Sequence, residues 1–203
     1  MPKLDSDLLE AKLASLVCVF AICACAAKTA GPTSAQGKAA INDSLSAQQL
    51  HDRIRAWVLS VNDARDLSEP NIEKRTGLDL GPDSEQPNGF RGVGALPEGW
   101  RYSLSSVKTV PGPSPHSVLF HMGRISESYA DMTPVCVELE HYRSALIAAG
   151  FKPSQRPQRL GTEYRFFRTK KVSVRVETHG KTKRYDEQRC VSRLFVSAAP
   201  PPG

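Results

Sequence analysis

The segment EYRFFRTKKVSVRVE, residues 163–177, decides how this chain folds. Val172, Val174 and Val176 alternate with Ser173, Arg175 and Glu177. That period of two marks a strand with one face buried and the other wet. The aromatic stretch Tyr164–Thr169 reads as a neighbouring strand. Arg165, Phe167 and Thr169 share one of its faces, and Tyr164, Phe166 and Arg168 share the other. Cys190–Val196 predicts a third strand that closes the sheet. Strands that follow one another through short turns pair antiparallel.

Working towards the amino terminus, Gly150 stops a helix over about 138–149 that puts Leu139, Tyr142, Leu146 and Ala149 on one face. Thr133–Val137 reads as a short strand or the start of that helix. Trp100–Val110 and Val118–Ile125 are two further strands, separated by the turn Pro111-Gly112-Pro113-Ser114-Pro115. Residues 81–99 are rich in Gly, Pro and Asn and predict a loop, in which Arg91-Gly92-Val93-Gly94 is a turn. A third glycine that would complete a phosphate loop is missing there.

Two helices come first. Ser46-Ala47-Gln48-Gln49 has capping-box spacing, and Leu45 and Leu50 sit where a hydrophobic staple would close over it. Leu50, Ile54, Trp57, Val58 and Val61 then line one face. Ser68 is positioned to cap a second helix, with Pro70 in its first turn, Leu67 and Ile72 as staple and Gly77 as stop. The predicted fold is α+β in the order α-α-β-β-α-β-β-β, an antiparallel sheet of about five strands with two to three helices packed on one face. No internal repeat is visible.

The formal charge of +6 is unevenly spread. Residues 25–150 hold 12 basic and 14 acidic residues, whereas 151–203 hold 13 basic and only 4 acidic. The positive field therefore belongs to the last quarter, where Arg165, Phe167, Arg168, Lys170, Lys171, Arg175, Lys181, Lys183 and Arg184 interleave bases with an aromatic ring. Such a surface suits an acidic protein or an anionic envelope component. The plainer reading is that these bases solvate the outer faces of strands. The chain contains no nucleophile elbow, zinc-protease, P-loop or calcium-loop motif, and its five histidines lack metal-ligand spacing. His121, beside a core face, reads as structural. We expect no enzyme activity, no metal and no cofactor, with an envelope hydrolase as the third-ranked reading.

The amino terminus sets the expected compartment. Leu13–Ala27 reads LASLVCVFAICACAA, 15 residues of nearly unbroken apolar character. A membrane-spanning helix needs about 20, and this length suits a signal-peptide core. Ile22-Cys23-Ala24-Cys25 at its end resembles the lipobox of bacterial lipoproteins: a branched apolar residue at −3, a small one at −1, then the cysteine. The preceding region departs from that pattern in carrying Asp5, Asp7 and Glu10 against Lys3 and Lys12. The resemblance implies removal of residues 1–24, acylation (palmitate among the acyl chains) at Cys25, and anchoring in the outer membrane facing the periplasm. An uncleaved anchor or a buried helix is the alternative. Residues 25–44 then form a tether with a reach of about 25 Å, 45–198 form one α+β domain, and 199–203 form a disordered tail.

Under that resemblance Cys18 and Cys23 leave with the signal, and Cys136 and Cys190 remain in an oxidising compartment, where one disulfide is expected. Two buried free thiols are the alternative. Export and the acids Asp52, Asp63, Asp66, Glu69 and Glu73 argue against nucleic acid as a partner of the two-helix segment. The expected compartment argues against single-stranded nucleic acid at the basic aromatic segment, whose pattern would otherwise suit it. At the level of class, a small tethered domain with one cross-link resembles the immunity lipoproteins that neutralise secreted effectors. The expected function is a protein-binding or inhibitory module. The second reading is a structural or assembly lipoprotein binding peptidoglycan, lipopolysaccharide or a secretion apparatus.

Overall fold

A computed structural model describes residues 45–107, 117–124, 130–154, 163–168, 171–183 and 187–200. The leader, Cys25 and the tether lie outside these residues, as do Lys170, Arg184 and the last three positions.

The first helix, α1 (Ala47–Ser60), starts as its sequence dictates. Ser46 Oγ accepts from the Gln49 amide at 3.1 Å and the Gln49 side chain accepts from the Ser46 amide at 2.9 Å, closing the capping box. Leu45 and Leu50 are both buried. The second helix, α2 (Glu69–Thr76), ends at Gly77, whose φ of 64° is the left-handed conformation that glycine adopts without strain. Its start corrects the expected cap. Ser68 occupies the N-cap position, but its hydroxyl turns back to donate to the Arg65 carbonyl at 2.8 Å. The third helix, α3, spans Leu139–Ala148.

Among the described residues the sheet has eight strands rather than about five. These are β1 (Gly81–Pro82), β2 (Phe90–Ala95), β3 (Arg101–Val107), β4 (Ser117–Gly123), β5 (Lys152–Pro153), β6 (Glu163–Arg168), β7 (Val172–Gly180) and β8 (Arg189–Ala198). All pairings are antiparallel, in the order β1-β2-β3-β4-β8-β7-β6-β5. The chain therefore lays down two four-strand meanders, each preceded by helix, and joins them along their last strands. The expected element order α-α-β-β-α-β-β-β becomes α-α-β-β-β-β-α-β-β-β-β. β1 and β5 have two residues each and blunt the two edges of the sheet.

The predicted loop over 81–99 contains β1 and β2, and the predicted turn at Arg91–Gly94 lies inside β2. The glycines there serve close packing and not chain reversal. A Cβ on Gly92 would sit 2.5 Å from Leu80 Cδ2 and 2.7 Å from the Asp79 carbonyl oxygen, and one on Gly94 would overlap the Tyr102 ring. Glycine inside a strand marks this kind of close approach.

The strand alternation fixes two faces. Tyr102, Leu104, Val118, Phe120, Met122, Phe166, Val172, Val174, Val176, Leu194 and Val196 are buried on one. They pack with Leu50, Ile54, Trp57, Val58, Tyr142 and Leu146 from the helices into one core. Burial of such side chains contributes about 1.5–3 kcal/mol each. The opposite face carries Ser103, Ser105, Leu119, His121, Arg193, Phe195, Arg175, Arg165 and Phe167, all half-buried or exposed, and no described helix covers it. Ala199, expected in the tail, is instead pinned: its amide donates to the Lys171 carbonyl at 2.7 Å and its carbonyl accepts from the Ala64 amide at 3.0 Å.

Candidate functional site: a groove on the open sheet face

Register decides which outward side chains meet. Arg165 pairs across to Arg175, Arg175 to Phe195, and Phe195 to Leu119. One row further along, Phe167 lies opposite Ser173, and Ser173 opposite Ser197. These two rows enclose a shallow groove of about 140 Å³ lined by Arg165, Phe167, Ser173, Arg175, Phe195 and Ser197, with Val174 at its base.

Its walls are pre-ordered. The Arg175 guanidinium lies over the Phe195 ring at 4.7 Å from the centroid, a cation–π contact of about 0.5–1 kcal/mol where solvent has access. Glu177 Oε1 stands 3.4 Å from Arg175 Nε, and Arg193 approaches the other oxygen of Glu177 at 3.4 Å. Arg165 is held by Glu163 at 2.5 Å. Ser117 and Ser197 share a hydrogen bond of 2.8 Å between their hydroxyls. Phe167 remains 41% exposed, unusual for a large ring, and rims the groove.

The structure thus brings together Arg165, Phe167 and Arg175 of the residues singled out from the sequence. Lys171 lies at the turn between β6 and β7, next to the groove. Lys181 and Lys183 follow the far end of β7, roughly 33 Å from that turn at the rise of an extended strand. The basic segment is therefore not one patch.

Arg168 belongs to another part of the fold. On the helix-side face of β6, its guanidinium sits over the Phe151 ring at 4.7 Å. It donates to the Leu59 carbonyl at 3.1 Å, to the Val61 carbonyl and to Asn62 Oδ1 at 3.3 Å. Burial pushes the guanidinium pKa down, partly offset by Asp66. These carbonyls end α1, where orphan acceptors and the negative end of the helix dipole favour a cation. We predict that Arg168→Ala lowers stability by about 1–3 kcal/mol and leaves ligand capture by the sheet face unchanged, as read by urea unfolding and a binding assay on the same variant.

Phe195, Ser173 and Ser197 were not among the candidate residues. One signal was present: Leu194 and Val196 flank Phe195 as apolar neighbours in a predicted strand, so the ring had to face away from them. Which strands lay beside it was not readable.

A second cluster joins residues far apart in the chain. His51, fully buried, has its Nδ1 2.7 Å from the Tyr142 hydroxyl, which also donates to the His51 carbonyl at 3.3 Å. Among the described residues its Nε2 has no hydrogen-bond partner, and the ring meets Phe120 at 84°. Outside it, His141 Nε2 and Arg55 both contact Asp52 Oδ1 at 3.0 Å, with Arg55 against the His141 ring. These contacts hold α1 to α3. Among the described residues no group of three His, Cys, Asp or Glu side chains is arranged to hold a metal ion, and no helix is long and apolar enough to cross a membrane.

The sulfurs of Cys136 and Cys190 lie at disulfide distance, with their Cα atoms 4.9 Å apart. Comparisons with protein-family models, with curated proteins and with solved structures gave no match.

Proposed function

We propose that this chain is a lipoprotein of the bacterial envelope whose folded domain binds, and by binding inhibits, a protein partner. The observation that carries the binding role is the groove of Arg165, Phe167, Arg175 and Phe195 on a sheet face that no described helix covers. Aromatic rings and arginines concentrated in one concave patch are the composition of protein-binding hot spots. The lipobox-like Ile22-Cys23-Ala24-Cys25 supports the anchored address, with the outer membrane as its site. The cysteine pair at bonding distance supports an oxidising compartment. The likeness to immunity lipoproteins is one of class.

Two measurements test this. Acyl labelling of cells should mark the chain at Cys25, and Cys25→Ser should abolish both the label and membrane association. In a pull-down at low salt the folded domain should retain one partner in near-equal amount. Reversing Arg165 and Arg175 together to glutamate should weaken that complex by about 2–5 kcal/mol. Recovery of no partner under these conditions overturns the reading. Co-sedimentation of the domain with purified cell wall or lipopolysaccharide would transfer the proposal to an envelope-assembly role.

A further inference from the structure

We infer that the groove on the open sheet face receives a single aromatic side chain of the partner, presented on a segment with acidic residues on either side. This deepens the protein-binding reading and rests on it.

Size comes first. A cavity on the order of 150 Å³ accommodates benzene, and the groove measures about 140 Å³. The size suits one ring. The walls offer faces for stacking: the half-exposed Phe167 on one side and Phe195 with its overlying Arg175 on the other. A ring entering between them meets a π face and a guanidinium that already lies over Phe195, so little side-chain entropy is lost on binding. Ser173 and Ser197 line the remaining wall with hydroxyls, which offer hydrogen bonds to an indole N–H or a phenol.

Charge selects what surrounds the ring. Arg165, Arg175, Arg193 and Lys152 stand against Glu163 and Glu177 on this part of the sheet, an excess of two positive charges. Arg165 and Arg175 are each already paired with a carboxylate. A lone acidic side chain would therefore only replace a partner that is already there. The ring supplies the anchor, and flanking carboxylates supply steering and register. The same charge disfavours a second copy, whose isologous docking would set Arg165 and Arg175 against themselves. The chain's own tether over 26–44 has no aromatic residue and carries Lys28 and Lys38 against Asp43.

The test uses the full folded domain and three capped pentapeptides: tryptophan between pairs of glutamates, alanine between pairs of glutamates, and tryptophan between pairs of lysines. Backbone amide signals are followed by NMR titration. The first peptide should shift the signals of Phe167, Ser173, Phe195 and Ser197. The alanine and lysine-flanked peptides should bind at least about tenfold more weakly, a difference of about 1.4 kcal/mol. Phe167→Ser, at an exposed position that leaves the core intact, should weaken the first peptide by a similar factor. Equal binding of the alanine peptide, equal binding of the lysine-flanked peptide, shifts confined to other surfaces, or no shift of groove signals up to about 10 mM would each overturn the inference. Failure here is separable from failure of the broader reading. If the partner complex is broken by reversing Arg165 and Arg175 but survives Phe167→Ser, the aromatic anchor is wrong and the binding module stands. If no partner is captured while the first peptide binds as described, the reverse holds.

Discussion

Between pH 7 and pH 4.5 the folded domain should lose about 3 kcal/mol of stability through one side chain, His51. Burial, reinforced by the nearby charge of His141 and opposed by that of Asp52, pushes the His51 pKa down from 6.5 to about 3. In the unfolded chain the imidazole titrates at its ordinary value. Below pH 6.5 the unfolded state therefore binds a proton that the folded state refuses. The stabilisation from a neutral His51 is complete above 6.5 and falls by about 1.4 kcal/mol per pH unit as the pH drops towards 3.

His121 works in the same direction. Its pKa is lowered by burial, then by Arg193 and His179, with Glu177 opposing. Asp52 works at lower pH. Burial raises its pKa, but hydrogen bonds from Gln48 and His141 and the charge of Arg55 hold it below its ordinary value, so its contribution is lost only below the usual carboxylate range. Urea unfolding at pH 7 and 4.5 measures the sum. His51→Gln should reduce the pH dependence to the part owed to His121, and His121→Gln should leave most of it. A wild-type stability that does not change between these pH values would show that the site accepts a proton without opening.

Reduction of the Cys136–Cys190 pair should cost about 4 kcal/mol, because the enclosed loop spans 54 residues and its closure removes entropy from the unfolded chain. The pair joins the segment before α3 to the start of β8. There the Val191 amide donates to the Val137 carbonyl at 2.8 Å, and Glu138 makes a bridge to Cys190. With an m-value of about 2 kcal/mol per molar urea, the midpoint should drop by about 2 M under reducing conditions. Replacing both cysteines with alanine should reproduce the drop, since Cys190 is fully buried and serine there would bury a hydroxyl. Unchanged midpoints with and without reductant would mean that the two sulfurs are not bonded.

The separation between what was legible and what was not follows the range of the forces involved. Ser46 and Gln49 announced the start of α1 because a capping box closes within one turn. Gly77 announced the end of α2 because only its own φ was at issue. Val172–Glu177 announced a half-buried strand because alternation needs no partner to be seen. Gly92 and Gly94 misled because glycine has two uses. Here the neighbours Leu80 and Tyr102, not a chain reversal, required the absence of a Cβ. Arg168 misled because strand parity places a side chain on a face without saying what waits there, in this case the carbonyl end of α1.

The sequence by itself determined the three helices, the longer strands β3, β4, β6, β7 and β8, the α+β class and the two faces of those strands. Each of these depends on neighbours within a few positions or on counting. Only the tertiary structure decided that β4 lies against β8, that two meanders make one eight-stranded sheet, and that Phe195 sits beneath Arg175 while His51 meets Tyr142. Those meetings join residues 20 to 91 positions apart. They are chosen by how the whole apolar surface is best buried at once, a sum over the chain that no short window contains.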